Sequence, residues 1–414
     1  MEMTYMLAKL EKWQRNLIVL WIGCFIAGIG FSEISPFLSL YVSELGNFNK
    51  GQLTIYSGLT YAITFLVVAI VSPIWGRLAD RRGRKLMLLR SSLGMSIIIA
   101  ACGFVHSIWS LLFLRFLQGL CAGYIPNASA LIATESPKEK SGSVLGILAT
   151  SYVSGNLIGP VLGGFLAQVF SIRITFVLTG ILLLIVFFLS LFFVHENFTS
   201  TLAPKAEEKT KRVSPLSQLQ RPKIIIVLLL STMIIQMGNN SITPIISLYV
   251  KELMHGIGPI TVVAGIIAAL PGLSTLISAP RLGELGDRTG NGRILIFGFL
   301  FAIIMYFPQG LVTSVWLLGI LRFMIGISDG ALFPTIQTIL SKESPAQLTG
   351  TVFSWNQSFQ ALGSMFGSLF GGIIPNFFDY NGVFIFTALS LSLNFLIIII
   401  FMPELRPHFN KKKK

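Results

Sequence analysis

The chain has 414 residues, of which 53% are hydrophobic and only 12% charged, with a formal net charge of +14. A soluble domain carries roughly 25% charged residues, so a water-soluble globular protein is excluded, and the apolar runs are continuous rather than alternating, which excludes a membrane β-barrel. The basic excess does not mark a nucleic-acid binder, because Lys and Arg fall in short segments at alternating ends of the apolar runs, which is a topology signal of membrane proteins.

Runs of about 20 apolar residues predict membrane-crossing helices. Twelve are predicted, near 17–42, 52–76, 87–105, 109–133, 143–168, 172–194, 223–250, 258–282, 294–312, 316–340, 350–374 and 381–402. Lys9, Lys12 and Arg15 precede the first run, but no small-residue cleavage site follows, so it reads as a span and not as a signal peptide. Glu33 lies within this run, near Pro36 and on a face with Phe37 and Leu40. An acid inside a membrane span is a functional candidate, here as a proton carrier or an anchor for a cation, and its plain alternative is a buried, hydrogen-bonded structural acid.

Spans two and three are joined by Gly76-Arg77-Leu78-Ala79-Asp80-Arg81-Arg82-Gly83-Arg84-Lys85. Gly76 and Gly83 are expected to permit a tight turn, and Asp80 is an acid among bases, able to accept strong hydrogen bonds. Span four carries Arg115, a costly charge, with Gly119 and Gly123 after it to let a neighbour approach. Arg115 stands only about 9 Å in from the helix start, so it either serves function or snorkels as a structural cation. Span five carries Gly155, Gly159, Pro160, Gly163 and Gly164, glycines four apart that form a smooth packing face around a proline that removes a backbone donor.

Residues 195–222 form the longest polar stretch and read as a linker between a six-helix bundle at 1–194 and a second at 223–414 with its basic tail. Span ten carries Arg322 and, seven residues later on the same face, Asp329, a second candidate acid; their axial separation of about 10 Å argues against a direct pair. Tyr61, Asn127, Gln236, Asn239, Asn240, Asn356 and Gln360 are candidate pocket residues. Cys24, Cys102 and Cys121 sit inside apolar runs without metal spacing, and the four histidines lie at span edges, in loops or in the tail. No metal, cofactor or catalytic constellation is expected, which argues against an enzyme.

The two halves repeat at an offset of about 207 residues. Leu114-Arg115-Phe116 returns as Leu321-Arg322-Phe323, Pro36 to Val42 as Pro244 to Val250, and Gly155, Gly159, Gly163 and Gly164 as Gly363, Gly367, Gly371 and Gly372. Where the copies disagree, Glu33 answers to Ser241, Ala122 to Asp329, and Pro160 to Ser368. Paired apolar halves indicate a carrier with its site between them. Most basic residues fall on the side of the termini, while Lys50 and Lys251 lie opposite, which places both termini in the cytoplasm.

The segment from Gly76 to Lys85, echoed by Gly283 to Gly290 with Asp287, resembles the G-x-L-a-D-r-x-G-R-k signature of the major facilitator superfamily. The resemblance spans the whole chain and implies an all-α polytopic protein of twelve transmembrane helices in two six-helix bundles. It implies that Gly76, Asp80, Arg81, Gly83, Arg84, Glu135 and Asp287 belong to a cytoplasmic gate. Asp80 would cap a second-half helix and Arg84 would pair with Glu135, whose alternative is an ordinary loop acid. Arg115 resembles an arginine associated in that family with proton coupling. The Gly-Pro-x-x-Gly-Gly of span five resembles the motif of its antiporter branch, the main reason to expect export. Arg15 to Val19, Pro126 to Thr134, Ala279 to Gly283 and Asn356 to Phe359 resemble multidrug efflux carriers of the MdtG and PmrA type, from which Glu33 departs. The expected function is export of amphipathic drugs in exchange for protons, by a monomeric multi-pass protein in a bacterial cell membrane, with membrane lipid as its surroundings. The alternative is a carrier of a native metabolite such as a sugar or sugar phosphate, in which Arg115 and Arg322 would face an anionic substrate.

Overall fold

The structure, a computed structural model, describes residues 11–137, 140–196, 219, 221–345 and 348–402; inside the helices, the side chains of Pro73, Asp80, Ser141, Gly142, Ser143, Asp287, Thr349, Gly350 and Thr351 lie outside the described set. The described residues are helical and contain no strand. In chain order the helices are α1 (Lys12–Ser32), α2 (Leu38–Glu44), α3 (Lys50–Arg82), α4 (Arg84–Cys102), α5 (Ile108–Cys121), α6 (Tyr124–Glu135), α7 (Ser141–Val169), α8 (Ile172–Phe193), α9 (Pro222–Ile242), α10 (Ile246–Leu253), α11 (Ile260–Thr289), α12 (Asn291–Gln309), α13 (Val315–Glu343), α14 (Thr349–Ile373) and α15 (Pro375–Phe401). Among the described residues, eleven segments, some joined across a short break, are long and apolar enough to cross a membrane. The twelfth long helix, α14, is rich in Gly, Ser, Asn and Gln, and it runs against α9.

The spans expected as single helices near 17–42 and 223–250 are each two helices. Pro36 lacks a backbone donor and disfavours helix in the residue before it, so α1 ends at Ser32 and a single 3-10 turn, Ser35–Phe37, leads into α2. Pro244 divides α9 from α10 in the same way. Both breaks are followed by the same tie: Tyr41 donates its hydroxyl to Cys102 O at 2.7 Å, and Tyr249 donates to Gln309 O at 3.1 Å. Span four is also broken, between α5 and α6. Gly123 has φ of 124°, so it serves this turn rather than the helix approach expected of it.

The link between spans two and three is shorter than the sequence suggests. Helix α3 runs on through Gly76 to Arg82, and the turn is made by Gly83 alone at φ of 93°. Gly76 is helical with open space around it, so it is not a turn residue. Gly290, at φ of 102°, does the same between α11 and α12.

Two compact units emerge. One comprises residues 1–47, 66–208 and 259–269; the other comprises 48–65, 209–258 and 270–414. Each is thus mainly one half of the repeat plus the first turns of a helix from the other half. In the first unit α1 packs on α7 and α4 on α8; in the second α9 packs on α14 and α12 on α13 and α15.

Glycine sets the closeness of the two main pairings, as expected where lipid offers no hydrophobic drive between helices. A Cβ on Gly155, Gly159 or Gly163 of α7 would collide with the backbone of α1: at Gly159 it would stand 2.9 Å from Ile29 O, and at Gly163 it would stand 2.7 Å from the Glu33 carbonyl carbon. Gly363, Gly367 and Gly371 of α14 meet the backbone of α9 at Met233, Met237 and Ser241 in the same register. The other edge of each pillar holds a visitor. Gly164 and Pro160 O meet Thr261 and Gly265 of α11, and Gly372 and Ser368 O meet Thr54 and Gly58 of α3.

Candidate functional site

The second unit contains a four-residue polar chain in its apolar interior. Asp329 of α13 takes two hydrogen bonds from the Asn239 amide of α9, at 3.1 Å to Oδ1 and 3.2 Å to Oδ2. Asn239 Oδ1 accepts the Tyr306 hydroxyl of α12 at 2.6 Å. With its oxygen toward a donor and its nitrogen toward a carboxylate, the amide has one orientation that satisfies both. Arg322 lies one turn of α13 before Gly326 and close enough to Tyr306 and Asp329 for its charge to act on both. Its Nε and Nη1 have no hydrogen-bond partner. The direct Arg322–Asp329 contact argued against from helical rise is replaced by this side-chain chain. Tyr306 and Arg322 are buried, whereas Asp329 and Asn239 are half-buried, so the carboxylate end is the reachable one.

Next to it, α9 presents Gln236 and Asn240 toward α14, where both amides reach Ser364 Oγ, at 3.3 and 3.2 Å. Asn356 is buried with its side-chain oxygen unbonded, and Gln360 O accepts from Ser364. Gln236, Asn239 and Asn240, expected as pocket residues, are therefore gathered with Asp329 on one side of α9.

In the first unit Glu33 is fully buried at the C-terminal end of α1, where the Pro36 break begins. Thr179 of α8 donates to its Oε1, and its Oε2 has no hydrogen-bond partner. The expected face shared with Phe37 and Leu40 is not formed, because the helix stops before them. Gly159 and Gly163 of the span-five motif press on the backbone of Ile29 and Glu33, so the acid is fixed by the glycine face itself.

Arg115 is buried in α5 and donates to Gln118 Oε1 at 2.6 Å, one turn away on the same helix. Asn127 donates to Gly123 O at 2.7 Å and stabilises the span-four break. Tyr61 is buried in α3. Of the expected cytoplasmic gate, the Asp80 and Asp287 side chains lie outside the described residues. Glu135 accepts from Asn16 of α1, which also donates to His195 O and accepts from the His195 N–H. Glu196 accepts from the backbone N–H groups of Arg84 and Lys85, each at 2.8 Å, and so caps the start of α4 as an anion at a helix N-terminus.

Several participants were not among the residues expected from sequence. Tyr306 is a single hydroxyl in an apolar run and gives no local signal. Thr179 is invisible until α8 is placed against α1. Asn16 and Glu196 sit at span ends, where polar residues are ordinary.

Duplicated halves built of membrane-length helices, with acids inside them, are the architecture of a membrane carrier. The Major Facilitator Superfamily profile matches residues 20–308 and 228–414, and the chain belongs to that family of membrane transporters. It is 45% identical over 386 residues to multidrug resistance protein MdtG of Escherichia fergusonii, covering 93% of this chain and 94% of that one. It is 47% identical to the MdtG of Serratia proteamaculans, with 93% of both chains covered. Among solved structures, a bacterial homolog of the human lysosomal transporter Spinster superposes with a TM-score of 0.76 at 14% identity, covering 95% of this chain and 97% of that chain. The nucleoside transporter NupG gives 0.72 at 11% identity, covering 95% and 100%. These distant likenesses establish the fold.

Proposed function

We propose that this protein exports amphipathic, drug-like compounds across a bacterial cell membrane in exchange for protons, by alternating access of its two bundles, with both termini cytoplasmic. The observation that carries the reading is the half-buried Asp329, held through both oxygens by the single amide of Asn239. A carboxyl with free acceptor capacity at the edge of an apolar interior suits either a proton or the cationic end of a drug. Glu33, with one unbonded oxygen, is the second proton site. The relatedness to MdtG proteins over most of both chains supports drug export, and the Gly-Pro-x-x-Gly-Gly face supports antiport.

The proposal is tested in proteoliposomes with an imposed pH gradient, following a fluorescent lipophilic cation. Gradient-driven uptake into the proton-rich lumen is expected. Transport that is indifferent to the gradient overturns antiport, and an absence of any drug movement with vigorous sugar phosphate exchange overturns drug export.

A further inference from the structure

The second half of the repeat carries an ammonium site that it cannot fill itself. Glu252, at the end of α10, and Asp379, near the start of α15, converge on one point beside the ring of Tyr380. The point is occupied by the Lys50 ammonium, from the first turn of α3, at 3.0 Å from Glu252 Oε2, 2.7 Å from Asp379 Oδ1 and 4.4 Å from the Tyr380 centroid. Among the described residues, Lys50 is the one cation ion-paired to either acid.

The receiving side is built on packed aromatic rings. Tyr380 packs on Tyr249, and Tyr249 on Phe384, all three buried. Asp379 interrupts the helix with φ of 57° and ψ of −176°, a region costly for a residue with a side chain, and its Oδ1 accepts the Tyr380 N–H at 2.6 Å. In this backbone conformation the carboxylate reaches Lys50.

The first half shows what is different. At the repeat offset of 208, Lys50 answers to Gly258, Glu252 to Glu44, Asp379 to Ser171, and Asn381 to Arg173. There Glu44 has a cation from its own half: Arg173 acts on it electrostatically, stacks over Tyr41 at 5.4 Å and donates to Val105 O at 2.8 Å. The second half has two acids and Asn381 where that arginine would be, so its cation comes from α3. The α11 start, where Gly258 stands in for Lys50, docks through neutral bonds from Thr261 to Gly164 O and Gln168.

We infer that Lys50, Glu252 and Asp379 form an ion-pair latch that holds the start of α3 against α10 and α15, keeping the side of the membrane opposite the termini closed until export opens it. This rests on the proposed transport cycle and topology. Below the latch, Gly51 meets Asn376, the Thr54 carbonyl meets Gly372, and a Cβ on Gly58 would stand 2.9 Å from the Gly372 Cα. That glycine seam is close-packed, and the latch is the part of it that carries charge.

The test is thiol labelling of Thr54→Cys, a position with no exposed surface, in a chain whose Cys24, Cys102 and Cys121 are replaced by Ala. A membrane-impermeant maleimide is added from the side opposite the termini. Slow labelling is expected with Lys50 and with Lys50→Arg. Lys50→Met, or Glu252→Gln with Asp379→Asn, should accelerate it roughly 3- to 10-fold, since two half-exposed ion pairs are modest in strength. Equal labelling in all variants, slow or fast, overturns the latch. Accelerated labelling in a protein that exports no drug leaves the latch standing and removes the export reading instead.

Discussion

Glu33 and Ser241 occupy the same place in the two halves. Each stands within a residue of the C-terminal end of the first helix of its half, before a proline break, each is pressed by the last glycine of a matching row, and each bonds a threonine 146 residues further on. Glu33 accepts from Thr179, and Ser241 meets Thr387 at 3.0 Å. The frame is therefore conserved through the repeat while its chemistry is not. In the first half the frame holds an acid, and in the second a neutral hydroxyl pair. The second half places its acid elsewhere, at Asp329, where the first half has Ala122. A duplicated scaffold thus carries two proton candidates at non-equivalent positions, one sealed and one at the edge of a polar patch.

The largest effects should come from the shared frame. Gly163→Val and Gly371→Val both force a side chain into backbone, with no flexible atom to yield, and overpacking of this kind costs about 1–3 kcal/mol or more. Both should lower the melting temperature in detergent and the yield of monodisperse protein to a similar extent; a large loss in one half alone would break the equivalence of the two frames. Asp329→Asn comes next. It should reduce gradient-driven export roughly tenfold or more while leaving the melting temperature close to wild type, because the amide can still bond Asn239.

Smaller effects separate the two halves. Asn239→Leu removes bonds to a charged group worth about 1.5–3 kcal/mol, so export should fall by about an order of magnitude, with Tyr306→Phe milder because a neutral hydrogen bond is worth about 1 kcal/mol. The smallest contrast is the sharpest comparison. Thr179→Val should weaken the response to the pH gradient, whereas Thr387→Val should alter only stability, by about 1 kcal/mol. Equal loss of coupling in both threonine variants would remove the distinction between Glu33 and Ser241.

Much of the fold was legible in the sequence because its signals are long and repeated: apolar runs of membrane length, basic segments at alternating ends, and glycines four apart on spans five and eleven. Asp329, Asn239, Gln236 and Asn240 could be singled out because polar side chains are costly within such runs. What could not be read was local backbone geometry and long-range pairing. Pro36 and Pro244 pointed to breaks, yet the apolar runs continue through them. Gly76 and Gly123 carry the same side chain as Gly83 and Gly159, and only the backbone angle or the neighbouring helix tells a turn from a packing face. Tyr306 and Thr179 acquire meaning from partners 67 and 146 residues away.

Proton release from purified protein gives the most direct test of two unequal acids. A lipophilic cation such as tetraphenylphosphonium is added to detergent-solubilised protein in weakly buffered solution, and the pH change is followed for wild type, Glu33→Gln, Asp329→Asn and Ala122→Asp. Wild type should release protons on binding, Asp329→Asn should lose most of that release, and Glu33→Gln should lose a smaller part. Undiminished release from both Glu33→Gln and Asp329→Asn would contradict the assignment of the protons to these two side chains.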